Sequence, residues 1–291
     1  MSDLEQTAIE RLRAASDMSL RLFEKPLVIT YSGGKDSDVL LHLAEKSGIP
    51  FEALHSLTTA DAPETVRHVY DTFYRLECKG IKCDVDKHVQ PDGSRMTMWK
   101  LIPRKLMPPT RLVRYCCAVL KEGGGRGRFI ATGVRWAEST ARQKNRGGWE
   151  VLHSNRQKSL ILANDNEEDR RLFEVCQMKG QRVVNPIIDW QDNDVLDYAA
   201  VEKISMNPLY CEGFCRVGCI GCPMASKTRI MEFARYPEIK TAWIRSFDKM
   251  LIIRIERGLE TYSWRSGVDV FHWWMEDGVL PGQEVLGGFE E

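Results

Sequence analysis

Leu27-Val28-Ile29-Thr30-Tyr31-Ser32-Gly33-Gly34-Lys35-Asp36-Ser37-Asp38-Val39-Leu40-Leu41 decides how the chain is read. It opens on an apolar, β-branched run with the composition of a buried strand. Two adjacent glycines break that run, and Ser37 to Glu45 follows with helical amphipathicity. Strand, glycine turn and helix start together make an anion site. The turn's N–H groups and the helix dipole aim at one spot, and Lys35 adds a full positive charge. Ser32 and Ser37 are expected to donate hydroxyl hydrogen bonds to the same phosphates. The spacing is not that of the G-x-x-x-x-G-K-[ST] loop, because the glycines adjoin each other and the lysine follows at once.

The flanking sequence repeats the same grammar. Asp3 to Phe23 carries apolar residues at helical spacing ahead of the loop strand. Gly48-Ile49-Pro50 stops the loop helix, Phe51 to Leu57 reads as a second strand, and Thr65 to Leu76 as a second amphipathic helix. Ile81 to His88 is expected as a third strand, weakened by charge, and Arg128 to Val134 as a much stronger one. Val183 to Ile188 reads as extended, followed by a helix from Gln191 to Glu202. Beyond Lys227 the pattern is helical to about Leu259. Asn164 to Arg171 is the most polar stretch and reads as a mobile loop. Alternating strands and helices predict an α/β fold, a Rossmann-like parallel sheet with helices on both faces. Residues 1–226 are expected as the nucleotide-binding domain with a cysteine site, and 227–291 as a helical extension packed on it.

Formal charge is zero, 41 basic against 41 acidic residues in 291, so any nucleic-acid surface must be local. The longest apolar run is too short to span a bilayer, and Met1 to Glu24 lacks a secretory pattern, so a cytoplasmic protein is expected. Nine cysteines without a signal then point to metal or redox chemistry rather than a disulfide framework.

Cys116 and Cys117 adjoin, and Cys219-Ile220-Gly221-Cys222 follows about a hundred residues later. Neighbouring thiolates can each take a corner of one multi-iron cluster, whereas a single zinc prefers paired knuckles. Gly218, Gly221 and Pro223 suit the tight turn that such ligands need. Four buried small hydrophobes are the alternative. Cys211 and Cys215 precede the C-x-x-C at spacings of four and four, as added ligands, sulfur carriers or packing. Arg126, Arg128, Arg135, Arg142, Lys144 and Arg146 share a stretch with a single acid, Glu138, and Arg104, Lys105, Arg111 and Arg114 precede the cysteine pair. Such residues bind phosphates or form a solvated basic face; Arg135 and Arg142 are assigned to the nucleotide or its leaving group.

The Ser32-Gly33-Gly34-Lys35-Asp36-Ser37 run resembles the pyrophosphate loop of the adenine-nucleotide α-hydrolase-like superfamily. Adding Pro63-Glu64-Thr65, Thr132-Gly133-Val134-Arg135 with Glu138-Ser139 and Arg142, Asn185 to Trp190, Asn207-Pro208-Leu209-Tyr210 and the four cysteines, the chain is similar from about Lys25 to Met224 to the phosphoadenylyl-sulfate reductase family. The same set also resembles the sulfurtransferases of that family that place sulfur into the DNA backbone. The resemblance implies ATP or adenylyl sulfate with Mg2+ at Ser32, Gly33, Gly34, Lys35, Asp36, Ser37, Thr58, Gly133 and Arg135, with Lys35, Arg135 and Arg142 acting in catalysis. It implies a 4Fe–4S cluster on Cys116, Cys117, Cys219 and Cys222.

The reductases attack with a cysteine near their C-terminus in a Glu-Cys-Gly context, and no cysteine follows Cys222 here. The expectation is therefore an ATP-consuming, iron–sulfur-dependent sulfur transfer enzyme that adenylates an acceptor and releases pyrophosphate. A sulfonucleotide reductase using Cys211 or Cys215 is the alternative, and a non-catalytic nucleotide- and cluster-binding member of a modification complex is the third. Expected partners are an adenine nucleotide, a nucleic-acid or small-molecule acceptor, a sulfur donor such as a cysteine desulfurase, and a second copy of the chain.

Overall fold

The computed structural model describes residues 2–153, 159–176, 178–226 and 228–276. The chain divides into two compact units. Met1–Leu57, Pro63–Lys87 and Gly123–Gly218 form the first; Thr58–Ala62, His88–Glu122 and Cys219–Glu291 form the second. The boundary expected between residues 226 and 227 lies within the last segment of the second unit.

The first unit is built on a seven-stranded sheet in the order β3-β2-β1-β4-β7-β5-β6. Helix α1 (Ser2–Phe23) precedes β1 (Leu27–Thr30), and α2 (Lys35–Ser47), β2 (Phe51–Ser56), α3 (Pro63–Glu77) and β3 (Cys83–Asp86) follow in strict alternation. Strand β1 is buried from Leu27 to Ile29, as its apolar run requires, and half-buried at Thr30, whereas β2 alternates between buried and half-buried positions. It pairs in parallel with β2 on one side and with β4 (Phe129–Ala131) on the other. The connection from β1 thus leads one way and β4 lies the other way. That reversal is the topological switch point, where an open α/β sheet leaves a crevice outside its strand ends.

The far edge departs from the all-parallel expectation. Strand β7 (Gln181–Val184) continues the parallel set, but β5 (Trp149–Leu152) runs antiparallel to it, and β6 (Leu160–Leu162) antiparallel to β5. Neither strand stands out in the sequence, because Glu150 interrupts the apolar residues of β5 and β6 is a three-residue run with no turn signal such as the glycines after β1. Trp149 is fully buried there, its ring centroid 5.4 Å from that of Phe173 and 6.4 Å from that of Phe129.

The polar stretch expected to be a mobile loop is instead the entry to α7 (Glu167–Val175). Asn166 caps it by accepting from the Asp169 N–H, three acids sit in the first turn, and Phe173 is buried completely. Polarity there reflects capping rather than disorder. Helix α6 (Thr140–Asn145) precedes β5, and α8 (Asp192–Val201) follows β7.

The second unit contains α4 (Met98–Lys105), α5 (Tyr115–Leu120), α9 (Thr228–Arg235), α10 (Pro237–Glu256) and α11 (Gly267–Met275). The single helix expected from Lys227 to Leu259 is broken at Tyr236–Pro237, because proline restricts the preceding residue and removes a backbone donor. Helix α10 packs on α4 and α11. Trp243 and Trp274 stack with centroids 4.5 Å apart, and both indole N–H groups are satisfied, by Ile220 O at 3.1 Å and Pro109 O at 2.6 Å. The aromatic C-terminal segment is therefore core as far as residue 276; residues 277–291 of the expected extension lie outside the described set.

Candidate functional site

The loop after β1 and the loop after β4 meet at the switch point. Gly33 has φ +74°, and a Cβ there would stand 3.1 Å from methyls of both Thr65 and Val69 on α3. Only glycine takes that backbone at that clearance. Gly133, after β4, is equally constrained, since its Cβ would come within 3.1 Å of the Asp36 carbonyl. Sequence reading marked both glycines, and the structure brings both loops onto the start of α2.

Asn207 pins the turn from below. Completely buried, it donates from Nδ2 to the Gly33 carbonyl at 2.8 Å and to Thr65 Oγ1 at 3.1 Å, and accepts from the Leu209 N–H. Tyr31 and His68 both donate to the buried Asp38 carboxylate, at 2.5 and 2.9 Å. Burial and that carboxylate push the Tyr31 phenol far above its usual range, so it stays a donor. Neither Asn207, Asp38 nor His68 was singled out as a site residue. Each supports the loop from beneath, which a linear motif does not reveal.

Four charges form a closed ring above the turn. Lys35 Nζ lies 2.8 Å from Asp192 Oδ1 and 3.2 Å from Asp36 Oδ1. Arg135, only 1% exposed, reaches the same two oxygens, 2.7 Å to Asp36 from Nε and 2.6 Å to Asp192 from its other branch. It also donates to the Trp190 carbonyl at 3.2 Å. Hydrogen bonds from Lys35 and Arg135 hold the Asp192 carboxyl below the ordinary carboxylate range. The Lys35 N–H donates to the Tyr210 hydroxyl at 2.9 Å. Asp192 escaped sequence reading, since an acid at a helix start is ordinary there, and Tyr210 was read only as part of the Asn207-Pro208-Leu209-Tyr210 motif, with no role at the loop.

The remaining expected residues divide. Ser37 is turned inward: its hydroxyl accepts from Ser32 and from the Gly34 N–H, both at 3.1 Å, and donates to the Gly34 carbonyl. Ser32 is exposed at the loop's lip. Arg142 sits on α6 and pairs with Glu138, whose Oε1 accepts from the Arg135 N–H at 3.0 Å. It stands behind Arg135 rather than in the ring. Two further arginines of the basic stretch are structural: Arg128 bonds Glu52 and the Pro26 carbonyl, and Arg146 clamps the fully buried Glu150.

The second unit gathers the cysteines. Cys116 and Cys117 lie on α5, and Cys219 and Cys222 flank a turn whose Gly221 has φ +78°. A Cβ at Gly221 would fall 2.3 Å from the Phe233 ring, so the turn closes only with glycine. Thr58, expected at the nucleotide, belongs to this unit: its hydroxyl is 3.3 Å from Cys219 Sγ, and its N–H donates to Asp61. The other three thiols, Cys117, Cys219 and Cys222, are within electrostatic reach of Cys116. A hydrogen bond from Cys116, reinforced by the Arg114 guanidinium 3.3 Å away, pulls the Cys117 thiol below its ordinary value. Burial pushes Cys219 up to about 11, against the pull of Lys121.

Among the described residues, no three His, Cys, Asp or Glu side chains are grouped as they stand to hold a metal ion. The donor chemistry nevertheless fits a multi-iron cluster. Four thiols, within reach of Arg114 and Lys121, match a cofactor that takes one thiolate per corner and carries net negative charge. Cys211 and Cys215 are exposed and fall in the first unit. None of the nine cysteines forms a disulfide.

A mostly parallel sheet whose first strand ends in Ser-Gly-Gly-Lys-Asp-Ser at a switch point defines a nucleotide-binding α/β protein of the pyrophosphate-loop type. Residues 26–225 match the phosphoadenosine phosphosulfate reductase domain, and the chain belongs to that family. It is 33% identical over 210 residues to sulfate adenylyltransferase subunit 2 of Streptomyces lavendulae, covering 65% of this chain and 57% of that one. The chain thus spans less than two thirds of that relative's length. An uncharacterized 37.8 kDa protein of Escherichia phage 186 is 26% identical, over 81% of this chain and 78% of its own. Among solved structures, the U34-tRNA thiolase NcsA of Methanococcus maripaludis, with its 4Fe-4S cluster, is similar at 15% identity and TM-score 0.44, covering 88% of this chain and 80% of that one. Among the described residues no helix is long and apolar enough to cross a membrane.

Proposed function

We propose that the protein is an ATP-dependent, iron–sulfur-dependent sulfurtransferase. The observation that carries the nucleotide half is the convergence of Lys35 and Arg135 on the crevice outside β1 and β4. An acceptor oxygen attacks the α-phosphorus, its P–O bond forms as the bond to the β-phosphate bridge breaks, and pyrophosphate leaves with the bonding pair. Lys35, Arg135 and the loop N–H groups neutralise charge on the departing phosphates, while Arg142 holds Arg135 in place through Glu138. The terminal sulfur of a persulfide donor such as a cysteine desulfurase then displaces AMP, its bond to the acceptor forming as the acceptor–AMP bond breaks. A thiol reductant supplies the two electrons that cleave the remaining S–S bond and leave the sulfur on the acceptor. Mg2+ would sit with the phosphates, and Asp36 is the loop carboxylate available to it.

Cys116, Cys117, Cys219 and Cys222 would hold the cluster, which when bound supplies a site for terminal sulfur. Its positive surroundings, Arg114 and Lys121, favour thiolate ligands. The test is anaerobic reconstitution followed by iron analysis and a pyrophosphate-release screen against tRNA, DNA and small acceptors. Protein that holds iron and binds ATP yet releases no pyrophosphate with any acceptor sinks the transferase reading.

A second reading, reduction of a sulfonucleotide to sulfite, is favoured by the family match itself and by the exposure of Cys211 and Cys215, either of which could attack the sulfate sulfur. Sulfite release from adenylyl sulfate with a thiol reductant, abolished in the double variant C211S/C215S, would establish it in place of the first.

A further inference from the structure

The phosphate seat is already filled by the chain itself. One oxygen, Asp192 Oδ1, accepts from both Lys35 Nζ at 2.8 Å and Arg135 at 2.6 Å. It bridges the two cations as a single phosphoryl oxygen would. The other members of the ring are enclosed: side-chain exposure is 1% for Arg135, 13% for Lys35 and 25% for Asp36, against 63% for Asp192. Asp192 is thus the open member, and an incoming anion must approach from its side. It stands at the first position of α8, where its backbone is held by the helix and its side chain, 63% exposed, faces solvent on the side away from Lys35 and Arg135.

From this we infer that Asp192 is an intramolecular competitor for the pyrophosphate seat, displaced when the nucleotide's phosphates bind and returning as pyrophosphate departs. The inference rests on the nucleotide reading of this loop and adds a residue that sets how tightly the site keeps its product. Asp192 acts through Lys35 and Arg135, so it is a positioning residue. Its role has an unusual sign. A side chain that only orders the two cations weakens anion binding when its charge is removed. A competitor strengthens it.

The experiment is calorimetric binding of inorganic pyrophosphate to the full chain at neutral pH, comparing wild type with Asp192→Asn and Asp192→Ser. Asparagine and serine are both well tolerated at helix starts, and circular dichroism checks that each variant is folded. Both variants are expected to bind pyrophosphate about five- to tenfold more tightly, the effect of removing the one carboxylate that Lys35 and Arg135 share. Their affinity should also fall more steeply with added salt, because a cation previously neutralised is now exposed to the ligand. Folded variants that bind at wild-type affinity or more weakly overturn the inference while leaving the nucleotide reading intact. Wild type that binds no pyrophosphate removes the nucleotide reading and the inference with it.

Discussion

Asn207 Nδ2 donates to the Gly33 carbonyl at 2.8 Å, joining residues 174 apart in sequence. That bond fixes the one peptide whose left-handed geometry turns the loop toward its ligand. Asn207→Ala leaves the Gly33 carbonyl, Thr65 hydroxyl and Leu209 N–H to find other partners inside a fully buried pocket. The expected loss is about 2–3 kcal/mol of stability, in line with unmade buried hydrogen bonds. Urea unfolding measures it. Pyrophosphate affinity should drop by about tenfold as the loop loosens. A variant as stable as wild type would show that the turn holds without its pin.

Gly221 gives the corresponding test in the second unit. Alanine there needs a left-handed backbone and places Cβ 2.3 Å from the Phe233 ring, which is itself packed against Phe271 and Trp274. Gly221→Ala is expected to cost about 2–4 kcal/mol, combining backbone strain with overpacking. The turn carries Cys219 and Cys222, so iron uptake on reconstitution should fall in parallel. Thermal unfolding and iron content are the two readouts. Normal values for both would mean that the turn relaxes freely.

The core of the fold was legible because β1 and the loop after it combine several independent signals: an unbroken apolar run, paired glycines, a lysine and a helix start. Those signals are local. The antiparallel pair of β5 and β6 was not legible, since strands this short are read only from what flanks them, and neither carries the paired glycines and helix start that mark the end of β1. The stretch from Asn164 misled for a chemical reason: Asn166 and the acids after it are capping residues, and capping residues look like loop residues until the helix behind them is seen. Within the candidate site, Lys35, Gly33, Gly133 and Arg135 were named from sequence and meet in the structure. Asp192 was missed because nothing in Gln191-Asp192-Asn193-Asp194 distinguishes an acid that reaches Lys35 from one that only caps α8. Thr58 was placed with the nucleotide, whereas its hydroxyl stands beside Cys219, a proximity across 161 residues that no spacing encodes.

Acid sensitivity of the first unit should centre on Asp165. It accepts from Arg11 at 2.8 Å, from Arg170 at 2.9 Å and from the Trp149 indole at 2.9 Å. Burial opposes its charge, but hydrogen bonds from Arg170 and Trp149 and the charge of Arg11 prevail and hold the carboxyl below its ordinary value. A carboxyl depressed in the folded state stabilises fully above the unfolded pKa of about 3.9 and loses that contribution as pH falls through the folded value. Stability should therefore be flat with respect to this group at neutral pH and fall progressively below about pH 4. Asp165→Asn should cost about 1–2 kcal/mol at pH 7 and flatten the acid limb. Urea midpoints between pH 7 and pH 3 measure both effects. An acid limb as steep in the variant as in wild type would transfer the sensitivity to other carboxyls, Glu45 first among them, since Arg75 and Lys79 depress it despite its burial.

The cysteines separate into two sets by environment, and serine substitution should separate them by iron. Cys116, Cys117, Cys219 and Cys222 share one electrostatic neighbourhood in the second unit, whereas Cys211 and Cys215 are exposed in the first. Each of C116S, C117S, C219S and C222S is expected to lose most of the iron and visible absorbance gained on anaerobic reconstitution, since a serine oxygen is a poor substitute for a thiolate at an iron corner. C211S and C215S should retain both. Pyrophosphate binding reads the nucleotide loop independently of the cluster, and it should survive in all six variants, which distinguishes loss of a ligand from loss of the fold. Should C211S or C215S lose iron to the same degree as C219S, the ligand set is wrong and the exposed pair must be counted in it. Should all six keep their iron, the metal is held adventitiously, and Cys219 beside Thr58 and Asp61 is a packing residue rather than a ligand.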